Sequence, residues 1–140
     1  METRNGLQIH TYDGAGYKPL VDFESWRVAM LNKNEIEHPD GITTMQRHLE
    51  TDEVFVLLTG TCVLFIASNG DTPKDLHGEL MKPKKLYNVP KGYWHNHFMD
   101  DRTSVLIVEN QDTNAANSPH AEISGDIKKL IVEQASALMK

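Results

Sequence analysis

Two short stretches of the sequence carry imidazole and carboxylate side chains at spacings that suit a metal ion. The first stretch contains Gln46, His48 and Glu53, and the second contains His95 and His97. Two imidazoles and one carboxylate are a common ligand set for a catalytic divalent ion, since they leave coordination positions open for water or substrate. The sequence therefore predicts a metal site with His48, Glu53 and His95 as its main ligands.

The two stretches resemble the signature motifs of the cupin superfamily. In that family the first motif is G-x5-H-x-H-x(3,4)-E-x6-G and the second is G-x5-P-x-G-x2-H-x3-N. The residues that match at the expected spacing are His48, Glu53, Gly60, Pro90, Gly92 and His95. The departures are Gln46 in place of the first histidine, Met99 in place of the final asparagine, and no leading glycine near Tyr87.

This resemblance implies an all-β fold, a jelly-roll barrel or sandwich with its site inside the barrel. It also implies a divalent transition-metal ion as cofactor, either iron, manganese, nickel or zinc, and a small-molecule ligand held in the barrel. Cupins commonly pair their sheets across a two-fold axis, so a homodimer is expected as well.

The residue in place of the first histidine leaves an alternative open. The amide oxygen of Gln46 is a neutral and weaker donor than imidazole, though it can ligate a hard cation. Gln46 is therefore either a fourth ligand or a hydrogen-bonding neighbour of the ligands.

His97 and Tyr93 are the candidate catalytic side chains. His97 lies two residues after His95, so both project from the same face of a strand toward the same cavity. An imidazole there suits a proton carrier, but it also suits a fourth ligand or a purely structural residue. Tyr93 is two residues before His95 and would share its face in a continuous strand. It lies in the preceding turn, however, so the sequence does not predict where its side chain points.

The predicted function follows from this site. We predict a metal-dependent enzyme that acts on a polar, oxygen-rich small molecule, such as a sugar or a carboxylic acid, through isomerase, lyase or dioxygenase chemistry. The alternative is a domain that binds or senses a small molecule and catalyses nothing, which the replacement at Gln46 favours.

The elements that must position these residues are mostly short strands. Alternating side chains from Trp26 to Leu31 predict a half-buried strand, and the apolar runs at 54–58 and 62–67 predict a hairpin closed by a glycine turn. Helical spacing of apolar residues predicts a C-terminal helix over 126–139, with Asp126 as its N-cap. Residues 1–17 are polar and predict an irregular arm.

The remaining polar candidates carry weaker predictions. His10, His38, His77 and His120 have no partner at ligand spacing and are expected at the surface. Glu109 and Asn110 end an apolar strand, and one of them is expected to face into the barrel; the sequence does not decide which.

Composition bounds the class of protein. The 140 residues, 39% of them hydrophobic and 24% charged, predict a single globular domain over 1–140. A net charge of −6 argues against a nucleic-acid partner. Without an apolar signal or membrane-spanning run, and with Cys62 as the single cysteine, we expect a cytoplasmic protein that contacts no membrane.

Overall fold

The structure, a computed structural model, describes residues 1–140. The chain forms twelve β-strands, one short 3-10 turn at Pro39–Gly41 and one α-helix. In chain order these are β1 (Glu2–Arg4), β2 (Leu7–Ile9), β3 (Tyr17–Phe23), β4 (Trp26–Asn32), β5 (Thr44–Gln46), β6 (Glu53–Thr59), β7 (Cys62–Ile66), β8 (His77–Leu80), β9 (Tyr87–Val89), β10 (His95–Met99), β11 (Ser104–Asn110), β12 (His120–Glu122) and α1 (Gly125–Leu138).

Two five-stranded sheets form the body of the molecule. We call the first, with strand order β12-β5-β10-β7-β8, the helix-side sheet, and the other, with order β3-β4-β11-β6-β9, the second sheet. All pairings are antiparallel, and most neighbours in a sheet are distant in sequence. Two packed antiparallel sheets with one terminal helix confirm the predicted all-β sandwich.

The core has two parts, one on each side of the helix-side sheet. Between the two sheets lie Phe55, Leu64 and Ile107, and between the helix-side sheet and α1 lie Phe65 and Ile131. Consecutive residues of β7 thus contact different parts of the core, so both faces of this strand are buried. Burial of both faces explains why its sequence is a continuous apolar run rather than an alternating one.

The helix packs through residues one turn apart. Ile127, Ile131 and Ala135 are buried against the helix-side sheet. The N-cap is Ser124, whose hydroxyl accepts a hydrogen bond from the backbone N–H of Ile127 at 3.2 Å. The prediction of Asp126 as the N-cap is therefore wrong. Asp126 lies in the first turn, where its charge favours the helix dipole.

The N-terminal residues are more regular than predicted. β1 and β2 pair in a hairpin whose turn residues, Asn5 and Gly6, have positive φ angles of 51° and 86°. An Asn-Gly pair favours this type of two-residue turn, so Asn5-Gly6 was a sequence signal for the hairpin. In addition, the edge strand β3 begins already at Tyr17. The expectation of an irregular arm therefore holds only between these strands.

The outer face of the second sheet is apolar and has no cover from α1. Side chains that alternate with the buried ones project there and are only half-buried, namely Val28, Met30, Val54, Val56, Leu106 and Val108. No helical segment has the length and apolar character needed to cross a bilayer.

Candidate metal centre

Three buried side chains meet where the two sheets face each other. Glu53 begins β6 in the second sheet, His95 begins β10 in the helix-side sheet, and His48 lies in the bend between β5 and β6. Their side chains are at most 7% exposed. Their ligand atoms all lie within 4.8 Å of one another. The bend brings His48 and Glu53 together, which a straight strand would not allow.

The hydrogen bonds of the imidazoles direct lone pairs at the carboxylate. The backbone oxygen of Tyr93 can only accept, so His95 Nδ1 donates to it at 3.1 Å. The Ser118 hydroxyl donates to Asn117, so it accepts from His48 Nδ1 at 2.7 Å. In both neutral rings the lone pair is then on Nε2. These atoms lie 3.0 and 2.9 Å from Glu53 Oε1.

Lone pairs on two nitrogens and a carboxylate oxygen repel one another unless a cation lies between them. Without a metal, that cation is a proton on an imidazole; a divalent ion serves the same purpose with all three groups as ligands. The residues therefore fit a metal ion. His48, Glu53 and His95 are the set that the sequence predicted for it.

The electrostatics of the trio favour the ionised carboxylate. Burial raises the pKa of Glu53, but when the proton between these groups is on Nε2 of an imidazole, hydrogen bonds and charges from His48 and His95 outweigh burial and hold the pKa of Glu53 well below its usual range. Burial lowers the pKa of His48, but its hydrogen bond to Glu53 and that carboxylate's charge raise it overall. An ionised Glu53 is the form that binds a metal ion.

The trio lines a cavity of about 450 Å³ between the sheets. This volume suits a small molecule. Its walls include residues from both sheets and from the segment between β11 and β12. The lining residues are Tyr17, Arg27, Leu31, Thr44, Gln46, His48, Glu53, Phe55, His95, Asn96, His97, Ile107, Glu109, Thr113, Asn114, Ala115, Ser118 and His120.

Gln46 lies beside the trio in a cross-strand row with His95 and His120. Its Nε2 lies 3.0 Å from His120 Nε2 and donates to the backbone oxygen of Ser118 at 3.4 Å. Since that backbone oxygen only accepts, the amide orientation is fixed. The prediction that His120 is a surface residue holds for its exposure, but no sequence pattern indicated that it lines the cavity.

The two predicted catalytic side chains lie in different places. His97 lines the cavity, and its Nε2 is buried without a hydrogen-bond partner. Burial, and secondarily the charge of His95, lower the pKa of His97 to about 4. Tyr93 does not line the cavity, because the turn directs its ring against the core between the sheets. Tyr93 contributes its backbone oxygen, which orients His95.

Glu109, rather than Asn110, faces the cavity. Its carboxylate accepts a hydrogen bond from the Tyr17 hydroxyl, and its Oε2 lies 4.0 Å from Nη1 of Arg27. Burial, and secondarily the charge of Glu53 on the neighbouring strand, raise the pKa of Glu109 to about 7. Tyr17 and Arg27 were not predicted as site residues, because they lie on β3 and β4, which only the pairing of strands brings close to β11.

Comparisons with known proteins bear on the fold. No protein-family model and no curated protein matches this sequence. Among solved structures, Pac13 of Streptomyces, described as a nucleoside dehydratase, superposes with a TM-score of 0.56 at 11% identity, over 83% of this chain and 87% of that chain. A cupin-2 domain protein from Shewanella frigidimarina gives 0.51 at 16% identity, over 71% and 85% of the two chains.

A larger protein contains a similar domain. CapF, a capsular polysaccharide assembling protein of Staphylococcus aureus, superposes with a TM-score of 0.54 at 17% identity, over 81% of this chain but 31% of that chain. These likenesses, with the two packed sheets, define the class: the chain has the cupin fold. The fold that the motifs predicted is thereby confirmed.

Proposed function

We propose that this protein is a metal-dependent enzyme of the cupin type that acts on a polar, oxygen-rich small molecule. The observation that carries the proposal is the convergence of two Nε2 lone pairs and the Glu53 carboxylate at the wall of a small-molecule-sized cavity. A structural site would be enclosed by its ligands, whereas this one opens onto space for a substrate.

In this proposal His48, Glu53 and His95 hold a divalent transition ion. When bound, such an ion polarises oxygen atoms of a substrate and lowers the pKa of water. The chain's own residues then orient the substrate. Gln46 and Glu109 offer hydrogen bonds to it, and His97 presents a buried Nε2 without a partner, which in the neutral ring's Nδ1–H tautomer can accept a proton or become a fourth ligand.

The substrate class and reaction remain those that the sequence predicted: a sugar or carboxylic acid in isomerase, lyase or dioxygenase chemistry. The structural neighbours extend the set to test. Pac13 is described as a nucleoside dehydratase and has been seen with uridine, and CapF takes part in capsular polysaccharide assembly. Nucleosides and sugars therefore belong in the panel beside keto acids.

A second candidate function is a domain that binds or senses a small molecule without turnover. Gln46 supports it, because the amide that replaces an imidazole ligand is engaged with His120 and Ser118. Such a domain would bind one member of the panel without converting it.

The decisive experiment measures metal content by mass spectrometry on purified protein, followed by the substrate panel. We expect a stoichiometric divalent ion in the wild type and in His77→Ala, a control on an exposed histidine paired only with Glu79. The double variant His48→Ala/His95→Ala should lose the ion, since one carboxylate cannot hold it. Equal metal in both variants, with folding verified by circular dichroism, would refute the site. Binding of one compound without product would favour the second function.

A further inference from the structure

The cavity extends beyond the metal trio into a region with a different chemistry. In the second sheet, Glu53 on β6 lies beside Glu109 on β11. Glu109 is the cross-strand partner of Arg27 on β4, and Arg27 is the partner of Asp22 on β3. Arg27 is therefore two strand spacings from Glu53, or about 10 Å. We call the part of the cavity lined by Tyr17, Arg27, Glu109, Thr113 and Asn114 the far lobe.

The one permanent cation of the far lobe is already paired. Arg27 Nε donates to Asp22 Oδ1 at 2.8 Å, and Nη2 lies 3.4 Å from Asp22 Oδ2. Its Nη1 donates to the backbone oxygen of Thr113 at 3.4 Å and lies 4.0 Å from Glu109. A bidentate carboxylate occupies the face of a guanidinium that a substrate anion would use.

The other charged group of the lobe offers nothing to an anion. Glu109 is buried, accepts a hydrogen bond from Tyr17 and adds no positive charge in either protonation state. Its carboxyl group suits a hydroxyl donor instead. The remaining polar side chains of the far lobe, Thr113 and Asn114, are uncharged.

From this pairing we infer that the part of the substrate in the far lobe is a neutral, polyhydroxylated group of the sugar type, held against Glu109 and the uncharged side chains. A carboxylate or phosphate in the far lobe is disfavoured, because burying an anion there requires a free cation to pair with it. This inference rests on the proposed function, since it takes the same cavity as the substrate site, and it narrows the substrates named there to those that carry hydroxyl groups away from the ion.

The test compares matched neutral and anionic probes on metal-free protein, where a carboxylate cannot gain affinity by coordinating an ion. The probes are glucose with glucuronate, galactose with galacturonate, and mannose with mannuronate, each at millimolar concentration. Binding is followed by saturation-transfer NMR titration. We expect at least one neutral sugar to bind about tenfold more tightly than its uronate, a difference typical of one unpaired charge at a partly solvated site.

A variant tests the cause of this preference. Asp22 is exposed, so Asp22→Asn should fold normally while freeing the Arg27 guanidinium. We expect uronate affinity to rise roughly fivefold or more, with the neutral sugar unchanged. Asp71→Asn, at an exposed loop position, makes the same change in net charge and should alter neither affinity.

Three results would overturn the inference: uronates binding as tightly as sugars to the wild type, no neutral sugar binding at all, or Asp22→Asn behaving like Asp71→Asn. These outcomes are separate from failure of the proposed function, which is seen as absence of metal or of turnover. A metal-free protein that still prefers neutral sugars would keep this inference and support the binding alternative.

Discussion

At the scale of single residues, Gln46 determines how many strong ligands a metal ion finds. Its amide is held by Ser118 and His120 beside His95, in the cross-strand register of β5 and β10. A side chain in this register points to the same cavity as His95. The strength of its amide oxygen as a donor therefore sets what Gln46 would contribute to binding an ion.

The first prediction concerns this donor strength. Gln46→His should tighten metal binding roughly tenfold or more, because imidazole is a stronger donor than an amide oxygen. Gln46→Ala should weaken it only slightly if the three main ligands suffice. Competition titrations with a chelator would measure both effects. A loss of metal in Gln46→Ala comparable to that in His95→Ala would mean that Gln46 is itself an essential ligand.

His97 has a buried nitrogen without a partner, and such a group lowers stability. His97→Leu should therefore stabilise the metal-free protein by about 1 kcal/mol, since it removes an unsatisfied polar atom at similar volume. Urea denaturation would measure this. Metal content should remain, because His97 is not among the three groups that converge. Loss of the ion in this variant would instead identify His97 as a ligand.

At the scale of elements, the turn between β6 and β7 connects the two sheets. The hairpin predicted for these two apolar runs is therefore wrong, since β6 pairs with β11 and β9 while β7 pairs with β10 and β8. Gly60 has a φ of +79°, and a Cβ built there would lie 2.5 Å from Cα and Oγ1 of Thr103. The Thr103 hydroxyl accepts from the Thr61 N–H at 2.9 Å and lies 2.7 Å from Asp100 Oδ1. A closely packed network thus depends on a residue without a side chain.

Gly60→Ala should accordingly destabilise the protein by about 2–4 kcal/mol, from the unfavourable φ and the clash with Thr103. Gly70→Ala is the matched control. A Cβ there meets nothing within 4 Å and the backbone has no positive φ, so its effect should stay within about 0.5 kcal/mol. Thermal and chemical denaturation of the two variants would compare them. Similar stabilities would show that the turn can rearrange without cost.

At the scale of the whole molecule, the two sheets differ in what covers their outer faces. α1 packs on the helix-side sheet, while the outer face of the second sheet presents half-buried side chains such as Val56, Leu106 and Val108. Phe23 and Trp26 lie together at its edge with tilted rings whose centroids are 5.9 Å apart, and both are exposed. An uncovered apolar sheet face is a frequent site of self-association.

We therefore keep the prediction of a homodimer and assign it to this face. Light scattering at micromolar concentration should report a dimer for the wild type. Leu106→Glu should give a monomer, because it places a charge within the apolar face. Leu86→Glu, on a residue 75% exposed in a loop, is the control and should remain dimeric. A monomeric wild type would contradict the prediction outright.

Much of the fold could be predicted from local patterns. The alternation or continuity of apolar residues, with glycine and proline turns between them, indicated an all-β sandwich or barrel, and the resemblance of the two motifs around His48, Glu53 and His95 to those of cupins implied the particular fold. Because successive side chains of a strand point to opposite faces, the sequence also predicted His97 and Phe98 on different faces. Phe98 indeed lies in the part of the core that α1 covers. These features depend on neighbours a few residues away, which is the range over which sequence patterns are informative.

The rest of the site was decided by strand pairing. On β11 both faces are apolar, so strand alternation did not tell whether Glu109 or Asn110 points inward; the packing of the second sheet on the helix-side sheet did. Tyr17, Arg27 and His120 reach the cavity from strands far away in sequence, and no local pattern marks them. The sequence by itself determined the predicted metal ligands and the strands that hold them. Only the tertiary structure decided which charges surround those ligands, because side chains from different strands meet only once the sheets have formed.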